Sequence, residues 1–148
     1  MTDRHDLERQ LSDTATLTGQ KVIELAGDAA NGAVGHVGLT VDAPNPEVLK
    51  FKAKFYQEYK YISDHNGMKG YSGVYVLKAA IEKVGKLDRK AVAAAIRGGC
   101  FNTKQTPGIL MDVCFDDKGD LDRESFMVEV KNGHQVVTAT LPPLNAKK

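Results

Sequence analysis

Residues 109–116 alternate between two sets of side chains, and this period of two predicts a β-strand. One face of the strand carries Ile109, Met111, Val113 and Phe115. The polar segment 116–119 follows and ends in a glycine, so we expect the chain to change direction there.

A second alternating stretch predicts a β-hairpin. Phe126, Val128 and Val130 are spaced two apart, which places them on one face of a strand. Asn132 and Gly133 follow this strand directly. Both residue types tolerate positive φ, and the pair is the strongest short-range signal for a two-residue type I′ turn.

The spacing of apolar residues at three and four positions predicts three helices in the middle of the chain. The first begins at the N-cap Asn45 with Pro46 in its first turn, and its buried stripe is Val48, Phe51, Phe55 and Tyr59. The polar segment 63–70 is expected to be a loop. The second helix is Tyr71–Val84, ending before Gly85, with Val74, Leu77, Ile81 and Val84 facing inward and a Glu82–Lys86 pair outside.

The third helix is expected to begin at the N-cap Asp88 and to end at the glycine pair 98–99. Leu87 and Val92 have the spacing of a hydrophobic staple across its start.

The first forty residues give weaker patterns. Residues 3–11 predict a short polar helix, and Thr18 is expected to cap a helix that Gly27 ends. The apolar face of that helix is Val22, Leu25 and Ala26. Residues 33–41 predict a strand with Val37, Leu39 and Val41 on one face. Helices and strands that alternate in this way indicate an α/β fold, a layered arrangement of helices and sheet.

Composition limits the classes of function. The chain has 148 residues, enough for one domain with a core. A formal net charge of +1 gives no strong field for nucleic acid, so no nucleic-acid partner is expected. No apolar run approaches the roughly 20 residues that cross a bilayer. Residues 1–13 are polar and contain no signal-peptide core, so the sequence as written predicts a protein that stays in the cytoplasm.

The two cysteines, Cys100 and Cys114, leave two interpretations open. They flank a turn-rich segment and lie close enough in sequence to pair, but sequence separation fixes no geometry. The favoured interpretation is two small apolar residues at strand positions, with a disulfide as the alternative.

No motif for catalysis, a cofactor or a metal occurs in the chain. G-x-S-x-G, P-loop and G-x-G-x-x-G patterns are absent, and the four histidines are too scattered for zinc. Asp116, Asp120 and Asp122 resemble part of a calcium loop, but Lys118 occupies a ligand position and Leu121 replaces the required glycine. We therefore expect no enzyme, no cofactor and no metal site.

Three stretches together resemble the carboxy-terminal part of a known family. They are LAGDAANGAVGHVGLTVDAPNP, HNGMKGYSGVYVLKAAIEKVGKLDRKAVAAAIRGG, and a strand ending in D-x-x-G-D that precedes the N-G hairpin. In this order they resemble the type I periplasmic solute-binding proteins of ABC transporters, specifically the receptors for leucine, isoleucine and valine. The resemblance runs from about Leu25 to Pro142, and the family's chains are more than twice as long.

The resemblance implies the late portions of two α/β lobes that close on a ligand between them. Residues 38–44 and 119–125 match two of the three segments that cross between the lobes. Accordingly, residues 27–142 are expected to be the binding-protein-like region, with a poorly matched segment 1–26 before it and a tail 143–148 after it.

The resemblance also implies candidate ligand residues. Tyr71 matches an aromatic residue that lines the cleft at a helix start; the equally weighted alternative is a packing residue. Asp13 and Thr14 fall near the family's acidic contact to the ligand ammonium, and local hydrogen bonding in a loop is the favoured alternative for them. The implied partners are an amino acid and an ABC permease, and the implied location is the periplasm.

Alternatives from other classes remain. A stand-alone interaction or dimerisation domain that kept the fold without ligand binding is the first, and a large exposed apolar patch would favour it. A small hydrolase is the second. Uncovered sheet edges suggest a homo-oligomer. Because groups from the early segments are missing, this chain alone is expected to bind amino acids very weakly or not at all.

Overall fold

Residues 18–144 are described by the computed structural model of the chain, and they form two antiparallel sheets with helices packed against them. The helices are α1 (Gln20–Ala26), α2 (Pro46–Tyr59), α3 (His65–Val84) and α4 (Arg89–Ile96), with a 3-10 turn at Gly27–Ala30. The strands are β1 (Val34–Val37), β2 (Cys100–Phe101), β3 (Val113–Phe115), β4 (Leu121–Asp122), β5 (Ser125–Lys131) and β6 (His134–Leu141). This layered arrangement confirms the predicted α/β class.

The first sheet has the strand order β1-β5-β6 and is called the hairpin sheet below. Lys131 pairs with His134 across a turn in which Asn132 has φ 52° and Gly133 has φ 74°. The predicted hairpin is therefore confirmed, with positive φ at both turn residues.

One face of the hairpin sheet forms the main core. Phe126, Val128 and Val130 are buried, as their spacing predicts. The core around the first two residues includes Val37, Leu39, Ala43, Val48, Phe51, Met68, Leu110 and Met111. This core joins the sheet to α2, to the start of α3 and to the segment before β3. Phe101 and Val113 of the other sheet pack in a second cluster with Val76, Ala80 and Ile109.

The predicted strand 33–41 is longer than β1, which ends at Val37. Beyond it the chain turns, with the Ala43 amide donating to the Thr40 carbonyl at 3.2 Å. Leu39 remains buried without strand pairing. The alternation of apolar residues after Val37 therefore reflects burial in the core and not pairing in a strand.

Helix α1 differs from its prediction at one end and on its apolar face. Gly19 is the N-cap and makes no side-chain hydrogen bond, so the capping role of Thr18 is wrong. Gly27 ends the helix with φ 57°, as expected. The buried residue is Ile23, whereas Leu25 is 89% exposed, because the helix meets the sheet through a different face. The predicted helix 3–11 lies outside the described residues.

Helix α2 confirms its predicted start. The side-chain oxygen of Asn45 accepts the amides of Glu47 at 2.9 Å and Val48 at 3.4 Å. Val48 and Phe51 are buried, but Tyr59 is 57% exposed, so the predicted stripe stops one turn early.

Helix α3 begins earlier than its pattern indicates, and the loop predicted at 63–70 is wrong. The Asp64 carboxylate accepts the Gly67 amide at 2.8 Å and caps the helix. Met68 is fully buried in the core. Capping and burial together offset the low helix propensity of the two glycines in this stretch.

The inward face of α3 is also different from the prediction. Met68, Val76 and Ala80 are buried, and Ile81 and Val84 are partly buried as expected. Val74 and Leu77 are exposed. Both faces of the helix are apolar, so periodicity could not decide which one the chain covers.

Gly85 ends α3 with φ 73°, as predicted. The surface ion pair joins Lys78 to Glu82 at 2.6 Å in place of the expected Glu82–Lys86 pair. Lys86 instead lies 3.4 Å from Asp88.

Helix α4 begins at the predicted cap, with the Asp88 carboxylate accepting the amides of Lys90 and Ala91. Leu87 is 87% exposed, so the predicted staple to Val92 does not form. Gly98 follows the helix with φ 70°.

The second sheet, β2-β3-β4, is called the disulfide sheet because Cys100 and Cys114 are bonded across it, with their Cα atoms 4.1 Å apart. The favoured interpretation of two separate apolar residues is therefore wrong, because antiparallel pairing puts these residues opposite each other. The predicted strand from Ile109 shortens to Val113–Phe115. Residues 109, 110 and 111 are all buried against α3. Successive side chains of a pleated strand point to opposite faces, so three successive residues of a strand could not all face the same helix.

Candidate functional site

Tyr71 lies in the interior of α3, about two turns after its first residue, rather than at a helix start. Its side chain is half-buried, with 39% of the residue exposed. This exposure leaves part of the residue accessible to a ligand.

A continuous row of aromatic rings contains Tyr71. Its ring centroid is 4.9 Å from that of Phe51 on α2 and 5.0 Å from that of Tyr75 on the next turn of α3. Phe51 continues the row to Phe55 at 5.5 Å. We call Phe51, Phe55, Tyr71 and Tyr75 the aromatic row. The i,i+4 spacing within each helix was the sequence signal for it, but nothing in the sequence showed that the two pairs meet.

The phenol of Tyr71 is held in its neutral form. Burial raises the pKa of Tyr71 above its ordinary value of 10.0, and the neighbouring Tyr75 and the charge of Glu47 act in the same direction. Glu47 precedes Phe51 by four residues and so lies one turn away along the same side of α2. A neutral phenol is a hydrogen-bond donor. The Glu47 carboxylate is itself paired with the Lys50 ammonium at 2.8 Å, so these two charges largely offset each other.

The segment before β3 supports this part of α3 from behind. The Leu110 amide donates to Oγ of Ser72 at 3.3 Å. Gly108, with φ 105°, lies directly against the ring of Tyr75. A cavity of about 40 Å³ between Tyr75, Thr106 and Pro107 has room for a few water molecules and is too small for an amino acid. The residues around Tyr71 thus form an open wall rather than an enclosed site.

Asp13 and Thr14, the other predicted ligand residues, lie outside the described residues. Phe51 and Tyr75 were not predicted as site residues, and the structure places their ring centroids 4.9 Å and 5.0 Å from that of Tyr71.

The two segments that the family resemblance assigns to crossings between lobes, residues 38–44 and 119–125, touch at one point. A Cβ placed on Gly38 would lie 3.1 Å from Nη2 of Arg123, so the guanidinium lies against the glycine. Burial lowers the pKa of Arg123 from its ordinary value.

Within residues 18–144, no group of three or more His, Cys, Asp or Glu side chains is arranged to hold a metal ion. In the same part of the chain, no helix combines the length and apolar character needed to cross a membrane.

The chain belongs to the periplasmic binding protein family, whose sequence model matches residues 4–135. It is 33% identical over 114 residues to the leucine-, isoleucine-, valine-, threonine- and alanine-binding protein of Pseudomonas aeruginosa, a match that covers 73% of this chain. The family resemblance to receptors of the branched-chain amino acid type is thereby confirmed.

Solved structures agree with this assignment. A leucine-binding protein from Thermotoga maritima is 27% identical, superposes with a TM-score of 0.68, and is matched over 84% of this chain. An ABC transporter solute-binding protein from R. palustris, solved with benzoate, shares the fold with a TM-score of 0.71, 23% identity and 86% of this chain covered.

The chain spans only part of these relatives. It covers 27% of the length of the Pseudomonas protein and 35% of each of the two solved chains. The described residues therefore correspond to a portion of a solute-binding protein fold.

Proposed function

We propose that this chain acts as part of a solute receptor of an ABC transporter and that its ligand is a branched-chain or related amino acid. The observation that carries the proposal is the partly exposed Tyr71, whose ring lies between those of Phe51 and Tyr75. The rings offer apolar surface for an aliphatic side chain, and the phenol offers a hydrogen bond.

The choice of an amino acid over an aromatic acid rests on the relatives and not on local charge, because the Glu47 carboxylate already pairs with the Lys50 ammonium at 2.8 Å. The name of the Pseudomonas relative refers to aliphatic amino acids, which agrees with this choice. Asp13 and Thr14 remain candidates for further contacts to the ligand.

The proposed mechanism is closure of two lobes about the segments 38–44 and 119–125, followed by presentation of the closed form to a membrane permease. The contact between Gly38 and Arg123 supports a common bending region. Ligand release without chemical change also fits the lack of a recognised catalytic motif in the sequence.

We propose the periplasm as the working compartment. The Cys100–Cys114 disulfide supports this location, because such bonds form and persist in oxidising compartments.

Thermal unfolding with a panel of ligands tests the proposal. At ten times its dissociation constant, leucine should stabilise the chain by about 1.4 kcal/mol and raise Tm by about 4 °C. We expect this only at millimolar leucine, because one open wall leaves much of the ligand hydrated. Benzoate should give no shift.

A matched pair of variants locates the effect. Tyr71→Ala should abolish the leucine shift, and Tyr56→Ala should keep it, since Tyr56 is 54% exposed and lies outside the aromatic row. Absence of any shift at tens of millimolar leucine, or a shift that survives Tyr71→Ala, would contradict the proposal.

One observation favours a second candidate, an interaction or dimerisation domain without ligand binding. Val74 is 66% exposed and Leu77 47% exposed, three and six residues after Tyr71 on α3. Such an apolar stripe is typical of a surface that another chain covers. Sedimentation should then show a homo-oligomer that Leu77→Glu dissociates and the control Leu87→Glu does not. A monomer at high concentration would exclude this candidate.

A further inference from the structure

The turn between α3 and α4 is strongly basic, although the chain as a whole is nearly neutral. Residues 83–90 contain four basic side chains and one carboxylate, a net charge of +3, whereas the whole chain carries only +1. The remaining residues therefore have a net charge of −2. Charges separated in this way give a molecule a local positive surface that its total charge does not reveal.

The basic side chains of this turn are available to a partner. All of them are exposed, and no ion pair within residues 18–144 engages Lys83, Arg89 or Lys90. Lys86 lies 3.4 Å from Asp88, and both side chains of that pair are exposed, so solvent screens it. The Asp88 carboxylate in addition accepts backbone amides as the cap of α4. The one acidic group of the turn therefore leaves most of its positive charge uncompensated.

An apolar side chain lies in the middle of these charges. Leu87 is 87% exposed and does not pack on Val92, so it adds little to the stability of the fold. Residues 85–87 are all exposed, and the turn projects between the end of α3 and the start of α4. We call Lys83, Lys86, Leu87, Arg89 and Lys90 the basic tip.

We propose that the basic tip docks this chain on a bilayer surface that contains anionic phospholipids. Each lysine or arginine near such a surface strengthens binding by about fivefold. Leu87 enters the headgroup region, while the long basic side chains beside it reach the lipid phosphates. The proposal goes beyond the receptor role and requires no ligand.

Two features favour a lipid surface over an acidic protein. A projecting turn needs no complementary groove when it meets an extended, soft surface, and a bilayer gives the exposed Leu87 an apolar environment. The net charge of −2 on the rest of the chain is repelled by anionic lipid, so the tip is the part that approaches the membrane.

Cosedimentation of the full chain with lipid vesicles tests the proposal. Vesicles of phosphatidylcholine and phosphatidylglycerol should bind the chain at millimolar lipid and low salt. Vesicles of phosphatidylcholine alone should not bind it. High salt should release the chain from the anionic vesicles, because it screens exposed charges.

A matched pair of charge reversals locates the binding surface. Lys90→Glu should weaken vesicle binding by roughly twentyfold, since it removes one cation and adds one repelled charge. The new acid lies in the first turn of α4, where it favours the helix dipole, so the variant should stay folded. Lys69→Glu is the control. Lys69 is exposed on the same helix as Lys83 but roughly 21 Å away along its axis, beyond the range of screened charges, so binding should remain at the wild-type level.

Fluorescence tests the role of Leu87 separately. The chain contains no tryptophan, so Leu87→Trp places a single reporter in the basic tip. Anionic vesicles should shift its emission to shorter wavelength, and brominated lipids should quench it. Leu25→Trp on α1 is the matched reporter outside the tip, since Leu25 is 89% exposed, and its emission should not change.

Several outcomes would overturn the proposal. They are absence of binding to anionic vesicles, equal binding to neutral vesicles, and equal loss of binding in Lys69→Glu and Lys90→Glu. Tight binding of polyglutamate, with no change in the emission of Leu87→Trp on vesicles, would assign the tip to an acidic protein and overturn it as well. Because no amino acid is added, failure of leucine binding would count against the proposed function alone.

Discussion

The hairpin of β5 and β6 is joined by residues that are neighbours in sequence, whereas α3 is held by residues far away along the chain. Strands β5 and β6 pair directly across Asn132 and Gly133, although β1 from the early part of the chain completes the hairpin sheet. Helix α3 depends on Gly108 behind Tyr75 and on the Leu110 amide bound to Ser72. Local pairing therefore fixes the β5–β6 turn, while α3 needs the loop before β3 to be in place.

The two regions also differ in how their apolar faces are used. The hairpin sheet buries one alternating set of β5 residues completely. Helix α3 has two apolar faces, and among the described residues only one of them is covered. The uncovered face carries Val74 and Leu77, next to the candidate ligand residue Tyr71. A mutation in the loop before β3 should thus affect α3 and the candidate site more than the hairpin.

The largest effect is expected at Gly108. A Cβ there would overlap the ring of Tyr75, and the φ of 105° already disfavours any L side chain. Gly108→Ala should destabilise the chain by about 4 kcal/mol from backbone strain and overpacking combined. Urea unfolding measures this. Gly73→Ala is the control, since a Cβ there meets open space and should stabilise α3 slightly. Similar midpoints for the two variants would show that α3 does not depend on the loop.

The next largest loss of stability is expected from removing the disulfide. Cys100 and Cys114 are 14 residues apart, and removing a bond that closes such a loop should cost about 3 kcal/mol. The double variant Cys100→Ala/Cys114→Ala should unfold at lower urea, with amides around residues 106–111 losing protection first. Uniform loss of protection, including β5 and β6, would mean that the two regions unfold as one.

A local change should damage the hairpin. Gly133→Val forces a β-branched residue to φ 74° and should cost about 2 kcal/mol. Gly133→Asn is the matched control, because Asn tolerates this conformation, and its cost should be much smaller. Thermal denaturation compares them. An unchanged Tm for the valine variant would contradict the importance of the turn.

The smallest predicted effect concerns the start of α3. The hydrogen bond from the Gly67 amide lowers the pKa of Asp64 below its ordinary value of 3.8. A carboxyl whose pKa is lowered in the folded state stabilises the fold at pH values above its ordinary pKa. This contribution is lost as the pH falls through the folded pKa. Asp64→Ala should cost about 1 kcal/mol at pH 7 and less near pH 3. Asp64→Asn keeps the acceptor oxygen and should show a weaker pH dependence. A cost independent of pH would contradict the role of the charge.

The features that could be predicted from the sequence are those that depend on local contacts. The hairpin turn, the caps at Asn45 and Asp88 and the glycine after α3 were all readable, because each depends on residues within one turn of the chain. The start of α3 was missed since its glycines suggested a loop, and burial of Met68 decides it. The inner face of α3 and the pairing of the cysteines depend on contacts across the fold. Periodicity contains no information about those contacts.

In the candidate site, too, only part of the arrangement could be predicted from the sequence. Tyr71 was proposed through the family resemblance, while the Phe51–Phe55 and Tyr71–Tyr75 pairs meet only when α2 packs on α3. Their spacing in the sequence showed two aromatic pairs and gave no reason to combine them.

Ligand titration followed by NMR of the whole chain tests the proposed receptor role at the level of single residues. With increasing leucine, we expect side-chain and amide shifts centred on Phe51, Tyr71 and Tyr75, saturating in the millimolar range and disappearing in Tyr71→Ala. Tyr56→Ala should leave the shifts unchanged. No shift at tens of millimolar leucine, or shifts centred away from the aromatic row, would contradict amino acid binding at this site.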